Sequence, residues 1–256
     1  MSGAQGAKVL FGVTSYGPLW APAVETWLRC VGYASRYLTV ESGGSLAGIG
    51  VTDRMYTSSA ENRLADALLA MPDATHLFLT EIDMCLPDDC LVKLLEADKD
   101  ICSGVYFLRS QEPLNLGQPC LYRQVVKMAQ RKGGETPYAQ TPVTIFPQEE
   151  LFKLGDHQAA GCAGLGCVLI KRRVFEAMAP PWFRILENRA GSDLYFYRRC
   201  YEAGFDLWVD PRVRCGQVDY YCTTIDDYQA RLELDPAFGG SGYIVGANQF
   251  RTGAQG

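Results

Sequence analysis

The chain has 256 residues, of which 48% are hydrophobic and 21% charged, a balance typical of a globular protein with a sizeable core. Its net charge of −5, from 24 basic and 29 acidic residues, gives no general electrostatic attraction to nucleic acid. No apolar stretch approaches the roughly 20 residues of a membrane span, and the first residues lack the pattern of a secretory signal. We therefore expect a cytoplasmic protein without a transmembrane segment.

The chain contains ten cysteines, and none of them forms a C-x-x-C pair. Several lie in apolar stretches, where cysteine behaves as a small hydrophobic residue. We expect reduced thiols, as in a cytosolic protein, rather than a disulfide framework or a zinc site. The positions are Cys30, Cys85, Cys90, Cys102, Cys120, Cys162, Cys167, Cys200, Cys215 and Cys222.

The first part of the chain alternates between strand and helix patterns. Residues 9–13 are apolar and run into the turn Thr14-Ser15-Tyr16-Gly17, which predicts a first strand that ends at the edge of a sheet. Apolar spacing then predicts a helix over residues 21–33 and a short strand over residues 37–40. The stretch from residue 42 to 50 is rich in glycine and serine and predicts a surface loop. The next helix is expected to begin with Ser58 or Ser59 as its cap.

Two acidic residues follow the most clearly apolar strand pattern in the sequence. Residues 76–80 predict a buried strand, which ends at Glu81-Ile82-Asp83. A helix is predicted after Pro87, and residues 100–107 predict the next strand. In open α/β sheets ligands bind outside the carboxyl ends of the strands, where two carboxylates can hold a divalent cation. Solvated turn residues are the alternative interpretation, because acidic pairs are common.

Residues 108–160 show no clear period and contain five prolines and a basic run over residues 123–132. A loop-rich insertion of this length is usually functional. The basic run is compatible with contact to an anionic acceptor, and a solvated helix face is the alternative.

The last part of the chain returns to regular patterns. Small residues lead into a strand predicted over residues 161–170, followed by a short helix over residues 171–178. Another helix is predicted from Gly191, with Ser192 as its N-cap, and Gly204 ends it. The segments 203–211 and 213–219 follow, and the Gly-rich remainder to Gly256 is expected to form a lid or an ordering segment near the site.

These motifs, in this order, resemble those of GT-A-type nucleotide-sugar glycosyltransferases, a family-2-like group with a DxD motif. The resemblance covers residues 8–107 and 161–219 and is most specific at residues 191–211. It implies an α/β fold with a GT-A-type mixed, mostly parallel, twisted sheet and flanking helices, in a single domain over residues 1–256. Residues 1–107 would be the nucleotide-binding half, 108–160 a loop-rich insertion, and 161–256 the acceptor half and tail.

The resemblance also implies a divalent cation, Mn²⁺ or Mg²⁺, beneath the donor diphosphate. Asp83 and Glu81 take the place of the DxD pair, with Glu81 standing where relatives have aspartate. Gln217 stands where relatives have a metal-binding histidine, and its carbonyl oxygen suits Mg²⁺ or Mn²⁺. Asp219 is the alternative ligand at this end of the site.

The same resemblance assigns residues to the nucleotide-sugar donor. Thr14, Ser15 and Tyr16 would line the base pocket, unless they form an ordinary β–α turn. Arg63 would contact the diphosphate, and Asn62 would either face the donor or cap its helix.

Three further residues are implied on the sugar side of the site. Gly164 would belong to the wall of the acceptor and donor-sugar site, and Trp182 would be an exposed platform for sugar stacking. Asp193 would be the general base that takes the proton of the acceptor hydroxyl. Stabilisation of a helix N-terminus is the alternative role for this carboxylate.

The implied function is a metal-assisted, inverting transfer of a sugar from a nucleotide-diphosphate donor to an acceptor hydroxyl. A non-catalytic nucleotide-sugar or glycan-binding module is the alternative, suggested by the two departures at Glu81 and Gln217. A nucleotidyltransferase would need a basic, glycine-rich phosphate loop after the first strand, and residues 15–18 do not form one. The sequence is compatible with a glycan, a small molecule, a protein or an anionic polymer such as a modified nucleic acid as acceptor, and with any oligomeric state.

Overall fold

The computed structural model describes residues 4–107, 119–122, 158–185 and 191–218, together with the short strands at 130–131, 134–135, 143–144, 222–223 and 244–245. Most of the predicted insertion, including nearly all of its basic run, lies outside the described residues. The same holds for Asp219 and for most of the predicted C-terminal segment.

The described elements follow one another as β1 (Lys8–Thr14), α1 (Ala21–Tyr37), β2 (Ser45–Val51), α2 (Thr57–Ala70), β3 (His76–Glu81), β4 (Met84–Cys85), α3 (Cys90–Glu96), β5 (Ile101–Val105), β6 (Leu121–Tyr122), β7 (Gln130–Arg131), β8 (Gly134–Glu135) and β9 (Val143–Thr144). They continue as β10 (Gln158–Ala160), β11 (Cys162–Ala163), β12 (Cys167–Lys171), α4 (Arg172–Glu176), α5 (Ser192–Glu202), β13 (Leu207–Arg214), β14 (Gly216–Val218), β15 (Cys222–Thr223) and β16 (Ile244–Val245). No helix in the described ranges combines the length and the apolar character that crossing a bilayer requires.

The central sheet has seven strands in the spatial order β10-β13-β5-β12-β3-β1-β2. β1 pairs in parallel with β2 and β3, and β5 pairs in parallel with β13. β12 runs antiparallel between β3 and β5, and β10 is antiparallel to β13. Five strands therefore share one direction, and the predicted mixed, mostly parallel α/β sheet is confirmed.

Helices cover both faces of this sheet and create two cores. α2, α4 and α5 pack on one face, where Leu64, Phe175 and Phe196 are buried. α1 and α3 pack on the other face, where Trp27 and Leu91 are buried. Because both faces are covered, the middle strands are buried and rich in apolar residues, and every residue of Ile101–Val105 is buried.

The expectation for residues 37–50 was wrong. The predicted strand over residues 37–40 is helical, because α1 continues into the π-helical turn Leu38–Ser42, which ends at Gly43 with φ 65°. The predicted loop contains the edge strand β2, whose residues pair with β1. Glycine is required at Gly44, since a Cβ there would collide with the backbone oxygen of Ala7.

Two helices have N-cap residues that differ from the predicted ones. α2 begins one residue before Ser58, after Tyr56, and no side chain caps it. α5 is preceded by Gly191, so Ser192 is its first residue rather than its N-cap. The Ser192 hydroxyl is therefore available for a contact with another element.

Arg172, the first residue of α4, binds the end of α2. Its Nη1 donates to the carbonyl oxygens of Leu68 (3.2 Å) and Met71 (2.7 Å), and its Nη2 donates to that of Leu69 (3.0 Å). These are carbonyls at a helix C-terminus, which lack partners within the helix and attract positive charge.

Arg172→Ala is expected to lower the free energy of unfolding by about 1.5–3 kcal/mol, because hydrogen bonds to a charged group are lost and helix carbonyls lose their partner. Urea denaturation measures this change. Arg173→Ala is the matched control, since Arg173 is exposed and forms an ion pair with Asp100. Equal effects of the two substitutions would contradict the role given to Arg172.

Candidate functional site

The predicted acidic pair lies at the carboxyl end of β3. Glu81 is the last residue of the strand, opposite Thr14 at the end of β1. Asp83 is buried, and its backbone oxygen accepts a hydrogen bond from Val218 N–H (2.7 Å). The preceding residue, Ile82, donates its N–H to Thr14 O (3.1 Å). The pair therefore occupies the sheet edge at which ligands bind in α/β folds.

The structure brings Gln217 against Asp83. Gln217 lies on β14, which pairs with β4 so that Gln217 is opposite Met84. Its Nε2 donates to Asp83 Oδ2 at 3.2 Å, and the two residues are 8% and 1% exposed. Within the described part of the chain, Gln217 Oε1 is buried without a hydrogen-bond partner. A buried amide oxygen beside a carboxylate is a donor set that Mg²⁺ or Mn²⁺ accepts.

Glu61 is a member of this region that the sequence analysis did not single out. It is the fifth residue of α2, is 1% exposed, and its Oε1 accepts a hydrogen bond from Ser192 Oγ at 3.0 Å. Burial raises the pKa of Glu61 to about 8, the Ser192 hydroxyl opposes this rise, and the charges of Glu81 and Asp193 add to it. Glu61 is therefore mostly protonated at neutral pH, and it lies near both acidic residues.

Asp193 is the second residue of α5, close to Glu61. Its Oδ1 accepts the N–H of Leu194 at 2.7 Å. Burial of the carboxyl group raises its pKa, and hydrogen bonds from the backbone oppose the rise. Gly191 makes room for this group, since a Cβ at residue 191 would collide with Asp193 Oδ1. An aspartate with a raised pKa is a better proton acceptor than an ordinary one.

Tyr106 contributes a buried hydroxyl next to the acidic residues. Its Oη accepts the N–H of Gly166 at 3.1 Å, and burial holds its pKa well above the usual range, with Cys120 and Glu81 adding to the shift. Gly164, which is expected in the wall of the acceptor and donor-sugar site, packs against Tyr106, whose Oη would collide with a Cβ at this position.

The three residues expected at the nucleobase follow β1. Thr14 and Ser15 are buried, and their hydroxyls donate to backbone oxygens, Thr14 to Thr80 O (3.4 Å) and Ser15 to Gly17 O (2.9 Å). Tyr16 is 56% exposed. The turn therefore offers an accessible aromatic ring beside two hydroxyls that the fold already uses.

Asn62, Arg63 and Trp182 lie together along an open cleft of about 630 Å³, whose lining does not include Asp83 or Gln217. Asn62 joins α2 to the segment after α4: its Nδ2 donates to Phe183 O (2.7 Å) and its Oδ1 accepts Trp182 N–H (2.9 Å). Arg63 is exposed. Both atoms of the Asn62 amide group therefore already make hydrogen bonds within the protein. These bonds compete with the contact to the donor expected for this residue.

Trp182 is not the exposed platform that the sequence predicted. It is 4% exposed, and its Nε1 donates to Phe175 O at 2.9 Å and Met178 O at 3.1 Å. Its ring packs edge-on against Phe175 in the core. A buried indole whose N–H is satisfied stabilises the fold and cannot stack on a sugar.

Glu61→Gln is expected to change how stability depends on pH. Since the pKa of Glu61 is raised from 4.5 to about 8 in the folded state, its stabilising contribution is complete below pH 4.5 and is lost as pH rises to about 8. Glutamine keeps the acceptor for Ser192 and does not ionise. We therefore expect the variant to match the wild type near pH 5 and to exceed it in urea denaturation at pH 8.5. Parallel curves for the two proteins would contradict a buried neutral Glu61.

No protein-family model and no curated protein sequence matches this chain. Solved structures that share its fold include A197 from STIV, with a TM-score of 0.54 at 17% identity, covering 86% of this chain and 91% of that one. GalNAc-T7, solved with UDP, GalNAc and Mn²⁺, has a TM-score of 0.53 at 11% identity, covering 89% of this chain. The present chain spans about half of that protein, 48%. The likeness shows a GT-A-like α/β fold.

Proposed function

We propose that this protein is a glycosyltransferase that moves a sugar from a nucleotide-diphosphate donor to an acceptor hydroxyl. The observation that carries the proposal is the buried contact between Asp83 and Gln217 at the carboxyl edge of the sheet. Two segments far apart in the sequence there place a carboxylate and a side-chain amide group in direct contact. A fold neighbour with a nucleotide, a sugar and Mn²⁺ bound is consistent with this use of the fold.

Asp83, Glu81 and the Oε1 of Gln217 would hold the divalent cation, Mn²⁺ or Mg²⁺. When bound, such a cation neutralises the donor diphosphate and assists its departure. The donor set fits, because it consists of oxygens only and Gln217 Oε1 is otherwise unused among the described contacts. No third His, Cys, Asp or Glu of the described residues joins Glu81 and Asp83 in a compact cluster, so the amide oxygen is the natural third protein ligand.

Asp193 would act as the general base. It lies near Glu61, which in turn lies near Glu81, so it belongs to the same region as the acidic pair. Its carboxylate would accept the proton of the acceptor hydroxyl as the sugar is transferred, with inversion at the sugar carbon. Glu61 would be a positioning residue, because its hydrogen bond with Ser192 fixes the start of α5 beside Asp193.

The donor nucleotide would lie along the ends of β1 and α2. Tyr16 offers a ring for stacking on the base, next to Thr14 and Ser15. Arg63 is an exposed guanidinium on the cleft beside α2 and would contact the diphosphate. In this arrangement residues 1–107 form the nucleotide-binding half and residues 161–218 contribute the acceptor side.

A thermal-shift screen of nucleotide-diphosphate sugars, each with and without Mn²⁺, tests the proposal. Ligand at 100 times its dissociation constant stabilises the native state by about 2.7 kcal/mol, which raises the melting temperature of a chain this size by about 5–10 °C. The stabilising sugar is then assayed for transfer to glycans, small hydroxylated metabolites and nucleic acid. Stabilisation without any transfer or donor hydrolysis would favour a binding module, and no stabilisation by any donor would contradict the proposal.

A further inference from the structure

Four cysteines distant in sequence meet in the core between the sheet and the helices α1 and α3. Cys30 lies on α1, Cys90 is the first residue of α3, Cys167 begins β12, and Cys215 joins β13 to β14. All four are at most 1% exposed. The described cysteines, these four among them, form no disulfides.

The spacing of three of these thiols suits a single metal ion. The Sγ atoms of Cys90, Cys167 and Cys215 all lie within 4.8 Å of one another, and those of Cys90 and Cys167 are 3.5 Å apart. Tetrahedral thiolates at the usual Zn–S distance of about 2.3 Å have sulfur atoms about 3.8 Å apart. A disulfide would need about 2.05 Å. The three atoms thus leave room for one ion and none for a multi-iron cluster.

Cys30 supplies a fourth thiol on the helix side. It hydrogen-bonds with Cys90 and lies near Cys215. It lies outside the tight group of three, so its side chain must move for it to complete a tetrahedral set.

Gly104 packs closely against this cluster, and its backbone N–H donates to the sulfur of Cys167. Gly104 can approach because it has no side chain: a Cβ there would lie 3.0 Å from Cys167 Sγ and 2.6 Å from Val213.

We propose that Cys90, Cys167 and Cys215, with Cys30 as the fourth ligand, bind one structural zinc ion. Soft thiolates select Zn²⁺ over the hard cations that suit carboxylate and amide oxygens. The site is therefore chemically distinct from the one at Asp83, and it does not depend on the proposed glycosyl transfer. The ion would join α1, α3, β12 and the segment that leads into β14.

The site has a direct structural consequence for Gln217. Cys215 immediately precedes β14, whose middle residue is Gln217, and Cys215 N–H donates to Val105 O at 2.8 Å. An ion anchored at Cys215 would fix the start of this three-residue strand. Loss of the metal would thus lower the stability of the fold and make β14 more mobile.

Elemental analysis of protein purified under reducing conditions, without a metal-affinity tag, tests the proposal. After dialysis against EDTA we expect one zinc per chain, which a mercurial reagent releases by capping the thiols. Wild-type protein that carries no zinc, and takes up none when refolded with Zn²⁺ and a reductant, would overturn the proposal.

Cysteine variants show which residues hold the ion. Cys167→Ser and Cys215→Ser should lose the zinc, while Cys162→Ser and Cys200→Ser, which change buried thiols in the opposite core, should keep it. Asp83→Asn should also keep it, which separates this site from the proposed oxygen site. Zinc retained equally in Cys167→Ser and Cys215→Ser would place the ion elsewhere and overturn the assignment.

If the cysteine variants do not fold, a measurement on the wild-type protein still tests the proposal. Chain produced in medium containing Co²⁺ should show the near-ultraviolet thiolate-to-cobalt charge-transfer absorption of a sulfur-ligated ion. Bound cobalt without this absorption would mean oxygen or nitrogen ligands and would also overturn the proposal.

Discussion

Replacing Asp193 by asparagine is expected to slow sugar transfer by about 10²–10⁴-fold, the usual contribution of a positioned general base. Asparagine keeps the shape of the side chain and an oxygen that can accept the Leu194 N–H, so α5 should start as before. Donor affinity and melting temperature should therefore change little. The measurement is a paired assay of transfer rate and donor binding on the same preparation.

The pH profile gives a second readout on Asp193. A base must be ionised, so the rate should fall as pH drops through its pKa, and burial places that fall above the range of an ordinary aspartate. The asparagine variant should lose this limb of the profile. Asp206→Asn, at an exposed carboxylate, is the control and should be unchanged. Normal transfer by Asp193→Asn would remove the residue from the mechanism, and loss of folding would make it a structural residue.

Replacing Asp83 by asparagine is expected to reduce Mn²⁺-dependent donor binding by at least about 10–100-fold, the cost observed even for partners one step removed from a metal. The buried carboxylate loses its negative charge, while Gln217 keeps an oxygen acceptor for its Nε2. Binding measured by calorimetry, with Mn²⁺ and with EDTA, separates the effect on the cation from any effect on the nucleotide.

Two comparisons sharpen the Asp83 experiment. Asp88→Asn alters an exposed carboxylate in the same connection and should leave donor binding unchanged. Glu81→Asp restores the more usual acidic pair and should keep or improve the response to Mn²⁺. If Asp83→Asn binds donor as well as the wild type in both conditions, the acidic pair is a structural turn.

The strand that carries the acidic pair could be predicted because its signal is local. Leu77, Phe78 and Leu79 form an apolar run of strand length, and the structure buries it between the two cores. The edge strand β2 could not be predicted in this way. Gly48 and Gly50 interrupt the alternation of apolar and polar residues that would mark it as a strand. Its conformation depends on pairing with β1, which lies more than 30 residues earlier in the chain.

The candidate site shows the same division between local and distant causes. Asp83, Gln217 and Asp193 stand in motifs that could be read along the chain. Glu61 could not be singled out, because its burial and raised pKa depend on Ser192, 131 residues away. The burial of Trp182 was missed for the same reason, since this residue packs in the core shared with α2, and its backbone N–H donates to Asn62, 120 residues earlier in the chain.

The thiol cluster is a third case of this kind. Zinc sites are usually recognised from close pairs of cysteines, and here each thiol comes from a different element. The topology brings together thiols from α1, α3, β12 and the connection between β13 and β14.

The antiparallel position of β12 has a consequence for how the chain is made. β5 does not pair with any earlier strand of the central sheet: its neighbours are β12 and β13. β3 pairs with β1 along one edge, and its other edge has no partner until β12 has been synthesised. About 60 residues separate β5 from β12, which is several seconds of synthesis at ribosomal speeds of about 5–20 residues per second.

During that interval the nascent chain carries a three-stranded parallel sheet with a bare edge at β3 and an apolar strand, Ile101–Val105, without its partners. Unpaired strand edges of this kind are templates for association with other chains. A fragment that stops at residue 107 should therefore aggregate, although it contains the acidic pair, and arrival of β12 is the event that closes the sheet.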